Sequence, residues 1–165
     1  MTQLSPEKRF LYAVEDGNSE EFQELLGRID VQTTNAAGAS PLHLAVLHSR
    51  LAMAARLLAA KANPDALDAA HRTPLHWAAA HGNTAIAKLL LEHGATVDAV
   101  DRHGNTALWT AVLRPEADLA FVQLLLRHGA QPRLKNKHGK SAYQQAVEME
   151  AKELQQLLER DGGDA

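Results

Sequence analysis

Residues 68–101 read DAAHRTPLHWAAAHGNTAIAKLLLEHGATVDAVD, and this stretch decides the fold because its landmarks return along the chain. Its box Thr73-Pro74-Leu75-His76 is preceded by Ser40-Pro41-Leu42-His43, weakens to Thr106-Ala107-Leu108-Trp109 and fades to Ser141-Ala142-Tyr143-Gln144, at steps of 33, 33 and 35 residues. The leucine pairs Leu25-Leu26, Leu57-Leu58, Leu90-Leu91, Leu125-Leu126 and Leu157-Leu158 follow at intervals of 32, 33, 35 and 32. Two independent markers with one period describe a repeated unit, which buries too little by itself and makes its core by stacking.

Within the unit, the hydroxyls of Ser40 and Thr73 are suited to cap a helix, and Pro41 and Pro74 take the first helical position, where a missing N–H costs nothing. Ala78 and Ala79, with their counterparts Ala45, Val46, Ala111, Val112, Ala146 and Val147, are small enough for neighbouring helices to approach closely. Gly82-Asn83 supplies a turn, and Ile86, Leu90 and Leu91 carry the apolar stripe of a second helix. His93-Gly94 and His128-Gly129 end the second helices, where glycine suits a left-handed closing residue. Asp98, Asp101 and Gly104 fit a hairpin, or finger, between units. Lys61 stands where Gly94 and Gly129 close their helices, and His71 stands where Gly38, Gly104 and Gly139 sit in the fingers. A positive φ at either would carry steric strain.

This unit, with its TPLH-like box and 33-residue step, resembles the ankyrin repeat over roughly residues 5–160. The resemblance implies an all-α solenoid of about five helix-turn-helix units linked by β-hairpin fingers, all in one domain. The expected boundaries are an N-terminal cap at 5–34, units at 35–67, 68–100 and 101–135, a C-terminal cap at 136–160 and a frayed tail at 161–165. Residues 5–30 lack a box and hold seven acids against three bases; residues 136–160 pair an incomplete box with a polar outer helix containing Glu148, Glu150, Glu153, Gln155 and Gln156. The resemblance also gives His43 and His76 a structural role, bridging backbone groups of adjacent hairpins. Trp109 takes the place of that histidine and is expected to pack, as is Trp77 between repeats.

With 45% apolar and 22% charged residues the 165-residue chain has a globular balance, and only 4% aromatic residues suits thin layers of helices. A net charge of −3 gives no electrostatic reason to approach nucleic acid or anionic lipid. No cysteine is present, which excludes a disulfide scaffold and a thiolate metal site and is compatible with a reducing compartment. No signal-like or membrane-spanning apolar run appears, so a soluble, cytoplasmic, monomeric chain is expected. No phosphate-cradling loop, HExxH or GxSxG is present, so neither enzymatic activity nor a cofactor is expected. Nine histidines invite a metal reading, but they recur at the repeat period, and equivalent side chains on successive units are expected to stand too far apart for one tetrahedral zinc.

The contact surface that the resemblance implies is the concave face of finger tips and first-helix exposed sides. By position it comprises Ala36, Ala37 and Ala39; Ala69, Ala70 and Arg72; Arg102, His103 and Asn105; Lys137, His138 and Lys140; and, on the helices, Leu47, His48, Ala80, His81, Leu113 and Arg114. Residues 101–147 hold seven bases and three acids, whereas residues 1–30 and 148–165 each net −4, so an acidic patch on the partner is one reading and freely varying surface charge the other. The longer turn at 113–118, stiffened by Pro115, reads either as loop drift or as a partner contact. The function expected is a protein-binding module, either a stoichiometric inhibitor or self-protection (immunity-type) or regulatory protein for one partner, or a scaffold tethering several.

Overall fold

The computed structural model describes residues 4–114 and 118–160. Its helices come in five successive pairs: α1 (Pro6–Asp16) and α2 (Ser19–Leu25), α3 (Pro41–Leu47) and α4 (Leu51–Ala59), α5 (Pro74–His81) and α6 (Thr84–Glu92), α7 (Ala107–Val112) and α8 (Leu119–Arg127), α9 (Ala142–Glu148) and α10 (Lys152–Arg160). The first helices form an inner row in which α1, α3, α5, α7 and α9 each pack on the next; α4, α6, α8 and α10 form an outer row in the same way. Among the described residues the only β bridges are two isolated ones, Leu26 with Ile29 and Lys135 with Ser141, so the fingers are short hairpins without extended strands, each closed by a bond such as Asp68 N–H to the Arg72 carbonyl. Pro115 and the rest of the stiff-turn reading at 115–117, and the tail at 161–165, lie outside the described residues.

Ala45, Ala78, Ala79, Ala111 and Ala146 are buried along the inner row, where a methyl side chain lets backbones come close. The outer helices supply the volume, with Leu57, Ile86, Leu90, Phe121, Leu125 and Leu158 fully buried. Phe10 and Phe22 stack at 5.5 Å between α1 and α2 and close the N-terminal end. Val147 departs from its counterparts Val46 and Val112: it is exposed, because no further unit among the described residues stacks on α9.

Each inner helix opens on an N-cap hydroxyl, and three of them follow it with proline. The first, Ser5-Pro6, belongs to the cap that carries no visible box. The closing turns are Schellman motifs. Gly94 N–H donates to the Leu91 carbonyl and Ala95 N–H to the Leu90 carbonyl, both at 3.0 Å, and Gly129-Ala130 and Lys61-Ala62 repeat the arrangement. Lys61 (φ 67°) and His71 (φ 59°) do hold the left-handed conformation of their glycine counterparts, and Ser49 (φ 54°) and Glu150 (φ 55°) share it.

Candidate interaction surface

The fingers are built by one residue type at one place. Asn35, Asp68, Asp101 and Asn136 open successive fingers, and the Oδ1 of each accepts two backbone N–H groups, from Ala37 and Ala39, Ala70 and Arg72, His103 and Asn105, His138 and Lys140, at 2.8–3.1 Å. Such side chains mimic a backbone turn and lock its conformation. The Asn/Asp recurrence at 35, 68, 101 and 136 was the signal for this in the sequence.

The fingers are then joined to one another. Ala69 N–H donates to the Ala37 carbonyl at 3.0 Å, Arg102 to Ala70 at 3.1 Å and Lys137 to His103 at 3.0 Å. Nδ1 of His43 accepts the Ser40 N–H (3.1 Å), so the proton is on Nε2, which donates to the Arg72 carbonyl of the next finger (3.0 Å). His76 repeats this between Thr73 and Asn105, at 3.2 and 2.9 Å. The bridging role implied for both histidines is thus present. Burial holds both imidazoles below their ordinary pKa, in the neutral form this geometry requires. Trp109 makes no such bridge. At that junction Asn136 Nδ2 donates to Asn105 Oδ1 and Lys137 Nζ donates to the Arg102 carbonyl, both at 2.8 Å.

Asp68 is the hub of the second finger. Burial alone would raise its carboxyl, but donors from the Arg72 backbone and guanidinium, the Trp77 indole and the Ala70 N–H outweigh this and hold it below the ordinary carboxylate range. Trp77 also lies edge-on to His43 at 5.2 Å and beneath the Arg72 guanidinium at 5.1 Å, so it packs between repeats.

The expected contact residues divide on this frame. Ala37, Leu47, His48, His81, Arg102, His103, Leu113, Lys137, His138 and Lys140 are exposed, as are Ala36, Ala69 and Ala80, while Ala70 is half-buried. Ala39 is a correction: it is fully buried. The position just before the helix cap is covered by the stack, and only a long side chain such as Arg72 or Lys140 emerges from it. Arg72 is exposed, but its guanidinium is committed to Asp68 at 2.8 Å. Asn105 is half-buried and engaged on both sides, with Asp101 and Asn136. Arg114 is half-buried with its guanidinium laid over Gly82, where any added side chain would collide with it. Lys140 is exposed but engaged, because its Nζ pairs with Glu148 at 2.6 Å. Arg102 and Lys137 remain beside His103 and His138, whose rings stack at 6.4 Å. These equivalent side chains on successive units stand nearer than expected. The rings, however, meet face to face, and among the described residues no three His, Asp or Glu converge as a metal set.

Leu67 and Val100, exposed by 53% and 48%, were not among the expected contacts. They directly precede Asp68 and Asp101, and their 33-residue spacing was the available signal. Each adds exposed apolar area where the chain enters its finger.

A stack of helix pairs whose turns are stapled into a continuous exposed edge is a helical-repeat solenoid built for contact with another macromolecule. Family models agree on which one: ankyrin repeats in three copies match residues 10–101, and a further ankyrin repeat matches residues 103–137. The chain belongs to the ankyrin-repeat family and is a protein–protein interaction module. No curated protein matches it. No helix among the described residues is long and apolar enough to cross a membrane.

Proposed function

We propose that the protein is a non-catalytic, stoichiometric binder of one cognate partner, acting as an inhibitor, self-protection or regulatory protein, monomeric when free and located in the cytoplasm. The observation that carries this reading is the finger array, joined by backbone bonds and histidine bridges before any partner arrives. A preformed surface loses little conformational freedom on binding, which favours tight one-to-one association. Leu47, Leu67, Val100 and Leu113 supply exposed apolar area, and Arg102 and Lys137, beside the exposed His103 and His138, supply a cationic rim for an acidic patch. The alternative is an adaptor that tethers two proteins without altering either.

The test is affinity capture from the native lysate, identification of the bound protein, and measurement of complex stoichiometry and partner activity. A one-to-one complex in which the partner loses activity supports the inhibitor; a ternary complex with activity retained supports the adaptor. Loss of binding on changing Leu67 and Val100 to serine locates the contact on the fingers. Full binding by that variant places it on another face.

A further inference from the structure

A groove of about 600 Å³ lies between α1 and the first finger, at the end of the contact surface where Ala36 and Ala37 stand. Glu7, Leu11 and Glu15 recur every four residues and so share one face of α1. Beside them Tyr12 stands 49% exposed. Thr34, Asn35, Ala36 and Ala37 form the opposing wall, to which the two alanines bring only methyl side chains. Tyr12 occupies the place that Leu47, Ala80 and Leu113 hold on later inner helices, counted from Ser5, Ser40, Thr73 and Thr106.

The charge of this groove is opposite to that of the later fingers. Hydrogen bonds from its own backbone N–H and from Ser5 hold the Glu7 carboxyl below its ordinary pKa, so it is ionised at neutral pH. Lys8 is the one base lining the groove, and the helix's other base, Arg9, is paired with Glu21 at 2.8 Å. Two carboxylates and an exposed phenol ring opposite the Ala36 and Ala37 methyl groups suit a long cationic side chain. Its stem lies on apolar surface, its charge faces the carboxylates, and the ring face adds a cation–π contact.

We infer that this groove receives an arginine- or lysine-bearing segment of the partner protein, seated on Tyr12 between Glu7 and Glu15. The inference rests on the reading that the chain binds a protein, and it orients that protein: basic segment at the first finger, acidic patch at Arg102, His103 and Lys137. Charges of opposite sign at the two ends of one surface disfavour the reversed orientation, which places like charges together at both.

The experiment uses the whole chain and two probes, a short arginine–leucine peptide and its twin with glutamate for every arginine. Amide chemical shifts are followed during titration with each. The expected result is that the basic peptide moves Tyr12, Glu15, Ala36 and Ala37, and the acidic twin moves Arg102, His103, Lys137 and His138. Glu7→Gln with Glu15→Gln should weaken the basic peptide about tenfold and leave the twin unchanged. Tyr12→Ala should weaken it severalfold with the carboxylates intact, and thermal melts establish that each variant is folded. A basic peptide that ignores the groove, or binds equally well to the neutralised variant, overturns the inference. If the acidic twin still marks the fingers, the wider reading survives. Groove binding without finger binding upholds the inference and removes the acidic-partner assignment; binding by neither removes both.

Discussion

Replacing Lys61 by glycine should make the protein more stable, although it deletes a side chain and adds nothing. Lys61 closes α4 at φ 67°, its N–H donating to the Leu58 carbonyl at 3.0 Å and the following Ala62 N–H to Leu57 at 2.9 Å. An L-residue in that conformation carries about 1–2 kcal/mol of strain, and glycine carries none. At the equivalent Gly94 and Gly129 a Cβ would meet nothing within 4 Å, so at Lys61 the strain is torsional rather than a clash. The Lys61 carbonyl, which accepts from Gln32 at 3.0 Å, is unchanged by the substitution. Against the gain, glycine adds about 0.4–1 kcal/mol of unfolded-chain entropy. The net is a stabilisation between about 0 and 1.6 kcal/mol, centred near 0.8 kcal/mol, or roughly 2–3 °C in Tm for a chain of this size. His71→Gly should gain at least as much. At its counterparts Gly38 and Gly104 a Cβ would sit 2.8 and 2.9 Å from a backbone nitrogen of the next finger, so crowding adds to torsion there. Thermal and urea unfolding followed by circular dichroism measure both. A lowered midpoint for both variants would refute the reasoning.

Gly38→Ala and Gly94→Ala both introduce the left-handed strain, but only Gly38→Ala also crowds the Ala69 nitrogen, so it should lose more stability in the same unfolding assay. Leu90, fully buried in the unit with neighbours on both sides, should cost about 2–5 kcal/mol when truncated to alanine and uncouple the halves of the stack. The same change at Leu158 should mainly fray the C-terminal end, and hydrogen exchange distinguishes the two; equal, fully cooperative losses would contradict the nearest-neighbour account. Burial lowers the pKa of His43 and His76 from the ordinary 6.5, so below that pH the unfolded chain takes up protons that the folded chain refuses. Stability should be fully present above 6.5 and fall as pH drops toward the lowered folded values, by at most about 1.4 kcal/mol per pH unit for each histidine. Gln144 already returns its Oε1 to a cap N–H in the fifth pair, so His43→Gln with His76→Gln should keep the caps and flatten this slope. Once the partner is known, Arg102→Glu with Lys137→Glu should slow association most at low salt. Glu20→Lys with Glu24→Lys, which breaks the exposed Glu24–Arg28 pair and removes an acid from the first turn of α2, should change it little.

The repeat period, the helix starts at Ser40 and Thr73, the glycine closures and the left-handed strain at Lys61 and His71 were all legible in the sequence. Each is a local property, set by a hydroxyl, a proline ring or a missing Cβ acting within a few residues, and the 33-residue step copies it along the chain. Ser5-Pro6 obeys the same local rule, yet it is followed by Glu7-Lys8 rather than Leu-His, so the first inner helix and the place of Tyr12 on it went unread. What tertiary structure alone decided is which side chains remain available. Ala39 and Arg72 hold one repeat position, but a methyl is covered there and a guanidinium reaches out, only to be held by Asp68. Lys140 and Arg114 are cations in any sequence count, but Lys140 is engaged by Glu148 within its own unit, and Arg114 lies over the Gly82 turn because stacking brings the neighbouring unit within reach. Repetition makes the backbone predictable from one unit, whereas exposure depends on the neighbour, which differs at every junction.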